Sequence, residues 1–347
     1  SGPSMCRCPM AGFPFLFIDN PPMESYNHIN RREGSMERAC PKGEREDISM
    51  ISEKMKPLVN NNSAIRAMFE EGKKLAAVYG AENVYDFSLG NPNVPAPDSV
   101  GQAICDILKE EESTFVHGYM SNAGYEDVRD TIARSLNRRF GTSFHQNNIL
   151  MTVGAASGLN IILKTLLNPG DEVIVFAPYF VEYGSYVRNY DGNLVVISPN
   201  TEDFQPNLEK LGEKITPRTK AVIINTPNNP TGVVYSAGTL ARMADILRER
   251  QTQLGTDIVL ISDEPYRELA YDGVEVPYVT GFYENTVICY SYSKSLSLPG
   301  ERIGYLVIPD ALKDSQEVFN AATIANRVMG AVNAPSLMQR VIKRCVD

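Results

Sequence analysis

Residues 291–305 read Ser291-Tyr292-Ser293-Lys294-Ser295-Leu296-Ser297-Leu298-Pro299-Gly300-Glu301-Arg302-Ile303-Gly304-Tyr305. One lysine stands among small hydroxyl residues, directly after the apolar run Val287-Ile288-Cys289-Tyr290, and an arginine follows eight positions later. A lysine at the end of a buried strand is partly desolvated, which favours the neutral amine, the form that attacks an aldehyde. The neighbouring hydroxyls and Arg302 are donors that suit an anionic phosphate. Together they point to a lysine imine with a phosphorylated aldehyde. Taken by itself the pattern is more often a solvated surface lysine beside serines, so the argument rests on the segments around it.

Working outward, the chain alternates apolar strands with helical periods. Strands are expected at Ile149–Val153, Glu172–Phe176, Leu194–Ile197, Ala221–Asn225, Ile258–Ile261, Thr286–Tyr290 and Ile303–Ile308, with a short one at Val84–Leu89. Helices fit Ser63–Tyr79, Pro97–Leu108, Tyr125–Phe140, Ala155–Leu167 and Ala237–Arg250. Continuous apolar strands between helices predict an α/β protein with a covered, largely parallel sheet.

Three strand ends carry further chemistry. Met151-Thr152-Val153-Gly154-Ala155-Ala156-Ser157-Gly158 passes from strand to helix through small residues, and a helix start offers free amides and partial positive charge to a phosphate. The spacing is not Gly-x-Gly-x-x-Gly, and no Gly-Lys-Ser/Thr follows, so nucleotide readings are weaker; an ordinary tight connection stands beside the phosphate reading. Asn225-Thr226-Pro227-Asn228-Asn229-Pro230-Thr231-Gly232 is either a plain turn or a ligand loop beyond a strand's carboxyl end. Ile261-Ser262-Asp263-Glu264-Pro265-Tyr266 likewise ends a strand, with Asp263 open to a cap or turn role as well as a functional one. Tyr179, Phe180 and Tyr183 follow another strand, and Tyr119 sits in His117-Gly118-Tyr119; core packing and a plain loop are the respective alternatives.

In this order, the segments resemble the Schiff-base lysine proteins of the class I/II (fold type I) pyridoxal-phosphate aminotransferases, aspartate aminotransferase-like, over roughly residues 48–347. The resemblance implies a three-layer α/β/α large domain with a mostly parallel seven-stranded sheet, the strand after the lysine running antiparallel, and a smaller α/β domain built from both ends of the chain. It implies the cofactor pyridoxal 5′-phosphate on Lys294. The amides of Gly154, Ala155 and Ala156, with Ser291, Ser293 and Arg302, would hold the phosphate, and Phe180 would stack on the ring. Asp263 would pair with the ring nitrogen, and Asn229 and Tyr266 would bond the phenolic oxygen. Gly90 and Asn229 fall on the substrate side. Tyr119 would reach the phosphate of a second copy, which implies a homodimer. The implied reaction moves an amino group between an amino acid and a 2-oxo acid, Lys294 carrying the proton. A carbon–sulfur lyase or related elimination on the same cofactor, and a non-catalytic binding protein, remain alternatives.

Bulk properties are compatible with this. At 347 residues, 43% hydrophobic and 22% charged, the chain has the composition of an ordinary globular protein. A formal charge of −9 argues against a nucleic-acid surface, and no apolar run reaches the roughly 20 residues of a membrane span. Six scattered cysteines and three histidines form no recognisable metal set, and reduced thiols in the cytoplasm are the expected state. The expected organisation is an irregular extension over 1–47, its Ser1-Gly2-Pro3 start reading as a cloning remnant. An arm and small-domain portion over 48–95 follows, then the large domain over 96–310, and over 311–347 an interdomain helix with the start of a truncated small domain. The family usually continues past this point, where the arginine that clamps a substrate carboxylate lies. No arginine here takes that role by motif, so an intact cofactor pocket with impaired transamination is expected.

Overall fold

The computed structural model describes residues 50–60, 64–85 and 90–346. The extension over 1–47 and most of the strand expected at Val84–Leu89 lie outside them. The contacts divide the chain into two units, one ending at Val84 and one beginning at Tyr85. The first contains α1 (Met55–Asn60) and α2 (Ala64–Tyr79).

The second unit opens with α3 (Asp98–Glu110), α4 (Ser113–Val116) and α5 (Glu126–Phe140), followed by β1 (Ile149–Thr152), α6 (Gly154–Leu166), β2 (Glu172–Phe176), α7 (Tyr183–Arg188) and β3 (Asn193–Ile197). It continues with α8 (Leu208–Lys214), β4 (Thr219–Asn225), α9 (Ala237–Leu254), β5 (Val259–Asp263) and β6 (Thr286–Ser291). The single turn α10 (Tyr292–Ser295), β7 (Gly304–Val307), α11 (Ser315–Val328) and α12 (Ser336–Cys345) complete it. Several ends follow local chemistry. Helix α5 has Glu126 and Asp127 in its first turn, Arg138 and Arg139 in its last, and Gly141 in the left-handed region as its stop. Ser236 caps α9 by accepting from the Thr239 amide at 3.0 Å.

The seven strands form one sheet in the order β1-β7-β6-β5-β4-β2-β3. Pairs β2–β3, β2–β4, β4–β5 and β5–β6 are parallel, and β7 runs antiparallel to both of its neighbours, as expected. Alternate residues on each strand enter two separate cores. Ile174, Val222, Ile224, Leu260 and Ile288 join residues of α3, α5, α9 and α12, whereas Val173, Val175, Ile223, Ile261 and Val287 join residues of α6, α7 and α11. Helices therefore cover both faces, which is why the strands read as continuous apolar runs. The carboxyl ends of β1, β2, β4, β5 and β6 lie along one edge, and β7 starts there. Among the described residues no helix is long and apolar enough to cross a membrane.

The seat of α6 on the sheet is tight. A Cβ built at Gly158 would lie 2.7 Å from Cys289 Sγ and 3.2 Å from Leu306 Cδ2. Helix propensity favours alanine over glycine by about 1 kcal/mol, but forcing volume into a packed core costs about 1–3 kcal/mol. Gly158→Ala is therefore expected to destabilise the fold by about 1 kcal/mol in urea unfolding. Combining it with Cys289→Ala should show a favourable coupling of similar size, and simple additivity would contradict the contact.

Candidate active site

Strand β6 delivers Lys294. Ser291 ends the strand and caps α10, its Oγ accepting from the Ser293 amide at 3.2 Å, and the Ser291 and Ser293 hydroxyls meet at 2.7 Å. Lys294 is partly buried on this turn and its Nζ donates to the Gly90 carbonyl. Burial, and then the positive charge of Arg302, hold its ammonium below the ordinary lysine range, so the neutral amine is more accessible. The chain then turns back to β7. Arg302 adopts φ 52° and donates from Nη1 to the Pro299 carbonyl at 2.9 Å.

Two glycines let these segments meet the start of α6. A Cβ on Gly154 would lie 2.9 Å from Arg302 Nη2, so the guanidinium lies against this helix start. A Cβ on Gly304 would collide with the Tyr290 carbonyl and lie 3.1 Å from Gly154 Cα. Ala155 and Ala156 follow in the first turn of α6, and Cys289 Sγ donates to the Ala155 carbonyl at 3.1 Å. Gly154, Ala155, Arg302, Ser291, Ser293 and Lys294 thus belong to one neighbourhood at the sheet edge, the arrangement an anion with a reactive carbonyl requires.

Strand β5 brings in Asp263, which is 5% exposed. Tyr183 donates its hydroxyl to Asp263 Oδ2 at 2.6 Å, while Oδ1 is buried with no hydrogen-bond partner. Asn225, across the ladder at the end of β4, donates to the Asp263 carbonyl at 2.7 Å. Burial pushes the Asp263 carboxyl up to about 7, opposed by the Tyr183 bond and reinforced by the charge of Glu264. The adjacent Glu264 is compensated: it pairs with buried Arg267 at 2.6 Å and accepts from the Ser262 hydroxyl at 2.8 Å. A buried carboxylate with one oxygen unused is suited to a cationic N–H donor.

The Asn229 amide N–H is fixed by Asn225 Oδ1 at 2.5 Å, and Asn229 Nδ2 donates to the Tyr266 hydroxyl oxygen at 3.1 Å. The two residues expected to share one oxygen are therefore side by side. Phe180 packs edge-on to Tyr183, with centroids 5.6 Å apart at 82°. Tyr119 lies apart from this contact network, 94% exposed between α4 and α5. Sequence reasoning missed the contacts of Tyr183, Asn225, Cys289 and Gly304. Asn225 and Gly304 stand at strand ends, which was their one local signal, whereas Cys289 lies inside β6 and Tyr183 opens α7.

Asp263 gives the unliganded protein a pH dependence whose sign is fixed. Its folded-state pKa is raised, so the folded state binds a proton more tightly than the unfolded state between about pH 4 and pH 7. This group's contribution to stability therefore falls as pH rises through that window. Asp263→Asn should remove a decline of a few kcal/mol from the urea-unfolding free energy between these pH values. Parallel pH profiles for wild type and variant would refute the uncompensated carboxylate.

The profile of the family described as "Aminotransferase class I and II" matches residues 82–347. A "Probable aspartate/prephenate aminotransferase" of Aquifex aeolicus is 34% identical over 73% of this chain and 64% of its own length. An "Aspartate aminotransferase" of Pyrococcus horikoshii is 30% identical over 78% of this chain and 65% of its own. The chain thus spans less than two thirds of the length of these curated relatives. A crystal structure of an amino transferase from Eubacterium rectale is 47% identical and superposes with a TM-score of 0.83, covering 86% of this chain and 75% of that one. Aspartate aminotransferase from Thermus thermophilus with maleate is 29% identical, with a TM-score of 0.71 over 82% and 70% of the two chains. The profile covers most of the sequence, and the chain belongs to the class I and II aminotransferase family.

Proposed function

We propose that this chain is a pyridoxal 5′-phosphate-dependent aminotransferase, moving an amino group between an amino acid and a 2-oxo acid. The observation that carries the reading is the unpartnered, buried Oδ1 of Asp263 at the same sheet edge as a partly buried lysine of lowered pKa. This pair fits a protonated pyridine nitrogen and an aldehyde on one molecule. Bound there, the cofactor supplies an electron sink conjugated to the substrate's Cα.

The residues divide the remaining tasks. Asp263 Oδ1 would accept from the ring N–H and keep that nitrogen protonated. Asn229 and Tyr266, already 3.1 Å apart, would donate to the phenolic oxygen. Ser291, Ser293, Arg302 and the amides of Gly154, Ala155 and Ala156 would hold the phosphate, and Phe180 would cover the ring. Lys294 would bind the aldehyde carbon covalently. Its neutral Nζ would be the base placed for the proton on the substrate's Cα. Gly90, whose carbonyl accepts from Nζ, and Asn229 border the side where substrate would enter. Tyr119, 94% exposed in the single chain, would contact the phosphate of a second copy in a homodimer.

The decisive experiment is reductive trapping. Borohydride treatment after incubation with pyridoxal 5′-phosphate should fix one pyridoxyl group on wild-type protein, assigned to Lys294 by peptide mass spectrometry, and none on Lys294→Ala. Label on another lysine would overturn the assignment. With aspartate as the first amino donor tried, after the relatives' names, Lys294→Ala should lower keto-acid formation by at least about 100-fold.

A further inference from the structure

Asp263 is held by a side chain distant in sequence that reaches it from beyond the carboxyl end of β2. Tyr183 opens α7, eighty positions earlier in the chain, and is 1% exposed. Its hydroxyl donates to Oδ2 at 2.6 Å, and its ring carries Phe180 edge-on at 5.6 Å and Tyr179 in a parallel stack at 6.4 Å. One side chain therefore touches both the carboxylate and the aromatic that the proposed function aims at the two sides of one ring system. The carboxylate's other neighbours do not restrain it in this way. Asn225 bonds the backbone carbonyl of Asp263, and Glu264 is committed to Arg267 and Ser262.

We propose that Tyr183 is a positioning residue for the cofactor's ring nitrogen: by occupying Oδ2 it fixes the carboxylate's rotation and leaves Oδ1 as the single oxygen available to the ring N–H. The inference rests on the cofactor reading given above. A carboxylate free to rotate about its Cβ–Cγ bond would present either oxygen, and would gain less from a donor in one fixed place. The packing of Tyr183 against Phe180 fixes that donor's plane with the same residue. Removing only the hydroxyl should therefore weaken what depends on the ring nitrogen and spare what depends on the ring's face and phosphate.

The test uses two aldehydes. Pyridoxal 5′-phosphate and its 1-deaza analogue carry the same aldehyde and phosphate, and differ only in a ring nitrogen replaced by C–H. Dissociation constants of both are measured by equilibrium titration for wild type, Tyr183→Phe, Asp263→Asn and the double variant. Wild type should prefer the nitrogen-bearing compound, and Tyr183→Phe should reduce that preference by about tenfold while binding the deaza analogue nearly unchanged, the size expected of one charge-assisted hydrogen bond. In the Asp263→Asn background, Tyr183→Phe should cause no further loss of preference. Tyr183→His, which retains a ring N–H donor, should recover part of it, and provides the same comparison if Tyr183→Phe does not fold. Equal weakening of both compounds, or an unchanged ratio, would make Tyr183 a packing residue only and overturn the inference. Failure of wild type to bind either aldehyde would overturn the cofactor reading itself, an outcome distinguishable from the first.

Discussion

A buried carboxyl with one oxygen left without a bond is the constraint around which this site is organised. Asp263 is 5% exposed and has one oxygen without a partner, two residues after Ile261 in the middle of an apolar strand. Burial disfavours its charged form by more than the Tyr183 hydrogen bond restores, which raises its pKa. Glu264 shows the same fold holding a fully bonded buried carboxylate. It is 1% exposed, and both of its oxygens are bonded. The contrast between these neighbours supports the role proposed for Asp263.

The sheet explains how the remaining groups come within reach. Neighbouring strands β4, β5 and β6 end in Asn225, Asp263 and Ser291, and the register places Asn225 opposite Asp263 and Asp263 opposite Cys289. Each loop leaving this edge inherits a position set by the ladder, so Asn229, Tyr266 and Lys294 need few residues to arrive. Rigid strands beneath short loops are the arrangement in which a ligand site loses least order on binding.

Much of this was legible before any coordinates. The strands were found because both faces are covered, which makes runs such as Val173–Phe176 apolar without interruption. Lys294, Asn229, Asp263 and Arg302 could be singled out because each stands in a local string whose chemistry is compact. The ends were less legible. Strand β5 was expected to stop at Ile261, yet it runs to Asp263, since Ser262 and Asp263 are polar but still pair with β4 and β6. The Tyr183–Asp263 bond was not legible at all. It spans eighty positions, and an aromatic after a strand has the same appearance whether it fills the core or holds a carboxylate. Gly304 was equally silent, because its close approach to Gly154 exists only once β7 has turned back.

That reversal has an implication for how such a site is inherited. A parallel successor to β6 would require a crossover of about a dozen residues or more and would begin at the far edge of the sheet. By running the other way, β7 makes the segment from Tyr292 to Ile303 a single hairpin-like excursion with both feet planted on one rim. The amine and the guanidinium are therefore cargo on the same short span. Lengthening that span would leave the hydrogen-bonded ladder intact while displacing both groups together, so its residue count is as strong a constraint as the identity of the two cations it carries.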